Sequence, residues 1–523
     1  MSVIAAAKTM TPGMIEHEFP EPNEEQLVML IAQIKDWQIN HGFLLKLVAS
    51  EEEYSVLSYP VGVSVFPTVF PRLLFNRAMD LQPVYNELYI AIASDEDWLY
   101  NTTKDLIPIE PLARALWGIY EEVKRAGIVQ ETSAGIFRSD YMLHSNNNNR
   151  PNSAQSLSRT TLKQVEFNAY SCAGGSHAKR VADMHRYLAR IGLYDFESDT
   201  SAKRKLDITS LPRNDNIESL ASILGLAHDV YGAPKSKEAA KTAVLFIVQP
   251  NNFNIADERP IEYALWNREN PVPAYRLNWG EDVLKHTSLT ETRQLLFHPP
   301  WFQSKPPVEI SVVYMRAGYE AHEYDQTGQQ VRLRLELSMS IKCPSILSHI
   351  STFKKVQQAL AVSGEVERFL PASKAAMVRE TFVPMYPLDD TPAGREGRKL
   401  ATDPNCSNHI LKPSLEGGGH NIYDAIPEFL ASKSHSEWSA YTLMARIRSP
   451  ALNNVLMGPA GIDEGEVVSE LGILGSCLWR TTERHCDILQ NTTAGWTFKT
   501  KHADVDEMSV VKGYGCFDTP QLV

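Results

Sequence analysis

The chain has 523 residues, and its formal charge of −12 excludes a general nucleic-acid binder, whose electrostatic footprint would be basic. Its length predicts roughly two to four domains, and 43% hydrophobic with 22% charged residues predicts a globular protein with ample core. Six scattered cysteines with no Cys-x-x-Cys pair exclude zinc ribbons and disulfide scaffolds and suit a reducing compartment. No apolar run approaches the roughly 18 residues of a membrane span, and the apolar stretch at residues 1–7 is too short for a signal peptide. The expected location is the cytoplasm, with no membrane partner.

Residues 1–24 are expected to form a flexible tail. Leu27, Leu30, Ile31, Ile34 and Trp37 then recur at helical spacing. Residues 55–70 read as strand and turn, limited to edges or ends by Pro60 and Pro67. Helical patterns fill 83–93 and 110–126, the second stopping at Gly127. Four asparagines at 146–149 predict a loop without chemistry of its own. Beyond it the run 162–171 alternates as a strand, with Leu162, Gln164, Glu166 and Asn168 on one face. Glu166 and Asn168 side by side can give two oxygens to one cation; a solvated strand face accounts for the same pattern.

A capped helix is predicted from Asn216 to a stop at Gly232. Residues 242–248 and 310–315 are continuous apolar runs, as expected of strands covered on both faces. The first ends in a polar stretch containing Asn252 and Asn254, the second in Arg316, Ala317, Gly318 and Tyr319. With a helix-like segment at 261–267 between them, they predict a small α/β unit at about 235–350. Ligands bind such sheets at the carboxyl ends of the strands. A short helix is predicted at 354–360, then a linker at 384–405 rich in Pro, Gly and charge.

In the run 408–423, apolar Ile410 and Leu411 lead to Lys412, Glu416, Gly417, Gly418 and Gly419. Successive glycine N–H groups can converge on a phosphate, with Lys412 adding positive charge and Glu416 a hard oxygen for Mg2+. A surface turn explains adjacent glycines equally well. Strands are predicted at 440–447 and 465–475, the latter placing Glu470 among apolar residues, where it needs a partner such as a cation or a ribose. Lys499, Lys501 and a polar loop through Lys512 close the chain. No Walker loop, dinucleotide fingerprint, His-Glu-x-x-His or Gly-x-Ser-x-Gly motif occurs. The surviving set of Lys, Glu and Asn around a glycine loop suits phosphoryl transfer from ATP, which depends on positioning and charge neutralisation.

Five motifs in order, Phe137-Arg138-Ser-Asp-Tyr-Met, Lys163-Gln-Val-Glu166-Phe-Asn168, Lys354-Lys-Val-Gln-Gln, Leu411-Lys-Pro-Ser-Leu-Glu-Gly-Gly-Gly-His-Asn and Ser469-Glu-Leu-Gly-Ile, together resemble eukaryotic-type glutathione synthetase. The resemblance runs from about residue 25 to the C-terminus. It implies a mixed α/β ATP-grasp fold with a smaller α/β substrate-binding domain inserted, usually a homodimer. Residues 25–234 would be the first part of the main domain, 235–350 the insertion, and 351–523 the second part with its glycine loop and lid. The implied reaction joins γ-glutamylcysteine to glycine through an acyl phosphate, consuming ATP with Mg2+.

By the same resemblance Glu166, Asn168 and Glu416 are the Mg2+ ligands. Lys354, Lys412, Gly417, Gly418 and Gly419 face the ATP phosphates, and Asn421 is a further cofactor-binding residue. Tyr423, Glu470, Lys501, Glu507 and the hinge residues Met444 and Ile447 are the other nucleotide contacts. Arg138, Tyr170, Ser171, Asn254, Arg316, Gly318 and Tyr319 hold the dipeptide or its acyl phosphate, with Asn252, Glu258, Lys499, Val510 and Val511 completing the substrate side. Arg138, Arg316, Lys354 and Lys412 carry the catalytic charge.

The departures from the family pattern lie on the substrate side. Ala173 replaces a serine, Asn252 a glutamate, Glu258 a glutamine, Ala317 an aspartate and Lys499 an arginine. The lid Gly-Gly-Val-Ala-Ala-Gly reads Met508-Ser-Val-Val-Lys512-Gly, and Glu507 replaces an aspartate nearby. These changes leave two alternatives: a paralogue ligating a different amine or acyl donor, and a nucleotide-binding protein without ligase activity.

Overall fold

The computed structural model describes residues 22–47, 57–145, 157, 159–195, 206–301, 305–404, 406–414, 420–459, 461–482 and 485–523. Glu416, Gly417, Gly418 and Gly419, the asparagine loop at 146–149 and residues 1–21 of the expected tail lie outside them.

Two long strands, Gly461–Thr481 and Cys486–His502, pair antiparallel. Gly461–Thr481 also pairs antiparallel with Thr132–His144, which carries Thr161–Asn168 along its other side. One face of these strands, with Phe137, Tyr141, Phe167, Leu471, Ile473, Trp479 and Phe498, packs on the helices Arg72–Ser94 and Pro111–Ala126. Tyr89 of the first helix stacks on Phe167 at 3.6 Å between ring centroids. The opposite face of the strand ends opens on a cleft.

Past Thr132–His144 the sheet turns parallel, through Ile341–Cys343, Val308–Met315, Thr242–Val248 and Ala274–Asn278. Every residue of Thr242–Val248 and of Val308–Met315 is buried, as expected of strands covered on both faces. A separate antiparallel sheet, Met385–Pro387, Tyr441–Ala445 and His409–Pro413, has its own small core around Leu388, Leu411, Leu430, Trp438 and Leu443.

Four expectations from the sequence are corrected. The helix expected at 83–93 begins at Arg72, so Pro83 lies inside it. Proline has no N–H for the carbonyl four residues back, and that carbonyl, on Met79, accepts instead from Thr493 Oγ1 at 2.9 Å. Asn491 Nδ2 adds a bond to the Pro83 carbonyl at 2.9 Å, so the neighbouring strand braces the helix where proline weakens it. The helix expected at 261–267 runs Ile255–Trp266. The linker expected at 384–405 contains the strand Met385–Pro387 and the helix Pro392–Ala401, started by Thr391 Oγ1 accepting from the Gly394 N–H at 3.0 Å.

The fourth concerns Thr161–Asn168, which does not alternate throughout. Asp140 opposes Glu166 while Tyr141 opposes Gln164, leaving Val165 as a bulge. A bulge reverses the facing of the residues beyond it. Leu162 and Gln164 are buried on the core side, whereas Glu166 and Asn168 line the cleft.

The Thr493 bond to Met79 gives a direct test. Thr493→Val is expected to lower stability by about 1 kcal/mol by orphaning that carbonyl. In a Pro83→Ala background, where a helix N–H becomes available, the cost should nearly vanish, as read from urea unfolding of the four proteins.

Candidate active site

The cleft encloses about 1130 Å3. Its walls are the antiparallel strands, the carboxyl ends of the parallel strands, the small sheet with Lys412 and Met444, and the loop after His502. At its floor the bulge in Thr161–Asn168 brings Glu166 and Asn168 beside two lysines. Lys354 Nζ lies 2.9 Å from Glu166 Oε2. Lys412 is buried and donates to the carbonyl of the bulged Val165 at 2.9 Å. Burial would raise the Glu166 carboxyl, but Lys354 and Lys412 outweigh it and hold the group well below the usual carboxylate range. Burial pulls the Lys412 ammonium below its ordinary value, with Glu166 opposing.

On the adjacent strand Arg138 makes a two-pronged contact with Asp140, Nε to Oδ1 and Nη2 to Oδ2, each 2.7 Å. Its remaining Nη1 donates to the Ala173 carbonyl at 3.1 Å. Asp140 also accepts from Asn168 Nδ2 at 3.0 Å. The sequence reading missed Asp140 as a site residue. Its position two residues after Arg138 in a strand was the available signal, since such residues share a face.

At the parallel strand ends Arg316 is buried. It donates to the Cys172 carbonyl at 2.5 Å and lies 3.3 Å from Glu258 Oε1 and 3.6 Å from Asp257 Oδ2. Asp257, also missed, accepts from the Gly174 and Ser176 N–H groups at 2.9 Å each, at the start of the helix Gly175–Arg190. Carboxylates are favoured there by the helix dipole. Burial raises the Glu258 carboxyl despite Arg316 and Arg276. Asn252 Nδ2 donates to Glu258 Oε2 at 2.5 Å, and the Asn254 N–H donates to Asn252 Oδ1 at 2.8 Å. Tyr170 OH donates to the Ala317 carbonyl at 2.7 Å, and Ser171 Oγ to the Arg316 carbonyl at 3.3 Å. Tyr319 lines the cleft.

Gly318 does not line it. Its φ of 79° and the ring of Trp279, 2.6 Å from where a Cβ would stand, require glycine at this position.

Glu470 lines the cleft, and the partner it has within the chain is a lysine. Lys499, directly opposite on Cys486–His502, places Nζ 2.6 Å from Glu470 Oε1. The ammonium expected to meet a substrate carboxylate is thus paired within the sheet. Burial raises the Glu470 carboxyl, with Lys499 opposing. Lys501 Nζ donates to the Val505 carbonyl, tying down the loop beyond the strand. Asn421 Nδ2 lies 3.4 Å from Tyr423 OH, and the Arg446 guanidinium sits 5.5 Å over the Tyr423 ring while pairing with Asp506 at 3.1 Å. Met444, Ile447, Glu507, Val510 and Val511 line the same end.

The profile described as eukaryotic glutathione synthase, ATP binding domain, matches residues 24–522. The chain belongs to that family. The glutathione synthetase large chain of Schizosaccharomyces pombe is 32% identical over 97% of this chain and 99% of its own. The glutathione synthetases of Dictyostelium discoideum and Homo sapiens are 32% and 28% identical, over 95% and 96% of this chain and 100% and 98% of theirs. A glutathione synthetase like-effector from Globodera pallida, solved in its apo form, shares the fold with a TM-score of 0.71. It covers 97% of this chain and 100% of its own at 19% identity. The chain is therefore an ATP-using ligase of the glutathione synthetase type, acting on small molecules. Among the described residues no helix is long and apolar enough to cross a membrane.

The Lys499–Glu470 pair makes a measurable claim within this family fold. Glu470→Gln leaves a half-buried ammonium without its counter-charge and is expected to cost roughly 1–3 kcal/mol in urea unfolding. Adding Lys499→Gln should recover most of that loss.

Proposed function

We propose that the enzyme uses ATP to join γ-glutamylcysteine to glycine, releasing glutathione, ADP and phosphate. The supporting observation is the cleft floor, where buried Lys354 and Lys412 flank the Glu166–Asn168 oxygen pair. Phosphoryl transfer needs positive charge around the moving group more than it needs a protein nucleophile. Lys354 and Lys412 supply it on the γ-phosphoryl oxygens. The acyl donor's carboxylate oxygen attacks the γ-phosphorus as the bond to ADP breaks. The amine nitrogen then attacks the acyl carbon, phosphate leaves, and the amine loses its proton. Arg138 and Arg316 steady the acyl phosphate between the two steps.

The donor set fits a hard divalent cation. Asn168 turns its amide nitrogen toward Asp140 and Glu166, so its oxygen is directed away from both. With Glu166 and, from the sequence, Glu416, this makes three oxygens suited to Mg2+. Mg2+ there would neutralise phosphate charge and fix the phosphate geometry. Asn421, Tyr423, Met444, Ile447, Glu470, Lys501, Glu507 and the glycines 417–419 form the nucleotide side. Tyr170, Ser171, Asn252, Asn254, Glu258, Tyr319, Val510 and Val511 form the substrate side. The proposal extends to a main domain of residues 25–234 and 351–523 with 235–350 as the insertion, and to a cytoplasmic homodimer.

A second reading, ligation of a different amine, is favoured by one observation: Lys499 is committed to Glu470 at 2.6 Å. An ammonium also lacks the two-pronged carboxylate grip of a guanidinium.

ADP release with γ-glutamylcysteine and a panel of amines, with mass spectrometry of the products, tests both readings. Glutathione as the dominant product supports the first; a preferred amine other than glycine sinks it in favour of the second. Lys354→Ala is expected to lower kcat by roughly a hundredfold or more, and chelating Mg2+ should abolish ADP release. A Lys354→Ala enzyme with unchanged kcat would remove the lysine from the mechanism.

A further inference from the structure

Asn168 can serve a cation only through its carbonyl oxygen, and an amide side chain takes either orientation unless its neighbours decide. Here the neighbours decide. Asn168 Nδ2 lies 3.0 Å from Asp140 Oδ2 and 3.2 Å from Glu166 Oε1. A carboxylate only accepts, so the amide must turn its NH2 to both; reversed, its oxygen would face two others. Glu166 is itself placed to hold the cation and would turn its oxygens there. Asp140 is the partner that stays.

Asp140 is well fixed for that task. It is 1% exposed, and Arg138 grips both of its oxygens at 2.7 Å. Gly472 lies opposite it in the next strand, and a Cβ there would stand 2.6 Å from Asp140 Oδ1. The absence of a side chain at 472 is what leaves the carboxylate its place.

We infer that Asp140 is a positioning residue that turns the Asn168 carbonyl toward the bound divalent cation while holding the Arg138 guanidinium in one plane. This rests on the cation site proposed above.

The test is Mn2+ binding, followed by electron paramagnetic resonance in the presence of a non-hydrolysable ATP analogue. Asp140→Asn sets an NH2 against either the guanidinium or Asn168, so the Asn168 orientation is no longer unique. Its Mn2+ affinity is expected to fall by about 10–100-fold, as for other partners behind metal ligands. Combining it with Asn168→Asp restores a donor facing a carboxylate, and either oxygen of that carboxylate serves the cation. The pair should recover most of the affinity, whereas kcat stays low because Arg138 keeps only part of its clasp.

Mn2+ affinity of Asp140→Asn within about twofold of the parent overturns the inference, as does a pair that binds no better than the single variant. A merely structural role would weaken both alike. A parent that binds no Mn2+ with the nucleotide overturns the cation site itself and this inference with it. Should Asp140→Asn fail to fold, Gly472→Ala presses on the same carboxylate, and unchanged Mn2+ affinity there also refutes the role.

Discussion

Burying charge is costly unless every charge is paired, and this constraint organises the cleft floor. Arg138, Asp140, Glu166, Lys354 and Lys412 meet there, each largely withdrawn from water. Each is held by another member of the set or by a backbone carbonyl. The residues come from four separate segments, Thr132–His144, Thr161–Asn168, Lys354–Leu360 and His409–Pro413. Pairing the charges therefore requires those segments to be docked. The network and the docking of the small sheet onto the main sheet are one event.

Backbone geometry serves the same end. The Val165 bulge turns Glu166 and Asn168 into the cleft, and its displaced carbonyl receives Lys412. Gly472 clears space for Asp140 from one side. At the other end of the site, Glu323 accepts from the N–H groups of Gly318, Tyr319 and Glu320 at 2.9, 3.0 and 2.9 Å. That clamp sets the turn carrying Arg316 and Tyr319. Rigid supports of this kind allow charged groups to be presented without first paying for reorganisation.

Much of this was legible in the sequence because it depends on local pattern. Strand period alone pairs Glu166 with Asn168, and apolar runs mark the parallel strands that lead toward Asn254 and Arg316. What failed depends on partners distant in sequence. Nothing within residues 162–168 reveals the bulge, which exists because Tyr141 and Asp140 oppose residues two apart. Pro83 reads as a helix start until Thr493 is seen to take up the carbonyl that proline leaves. Glu470 needs a partner, and only register brings Lys499, 29 positions away, opposite it. Gly318, matched to the substrate side by resemblance, also meets a need that no local pattern reveals, a positive φ beneath Trp279.

The pairing also shapes how the proposed reaction would begin. Lys354 is held by Glu166, so a phosphate that recruits the lysine removes one of the carboxylate's two counter-charges, leaving Lys412. A divalent cation held by Glu166 and Asn168 would supply positive charge in its place. The two exchanges would compensate each other: nucleotide alone would weaken the pairing of Glu166, and cation alone would bring positive charge against Lys354. Binding of both together would keep every charge paired and would favour the metal–nucleotide complex over either component. Asp140 and Arg138 take no part in that exchange, since each already satisfies the other. They form the fixed edge against which the exchange would occur, and on the inference above this stationary pair would keep the Asn168 oxygen aimed as Glu166 changed partner.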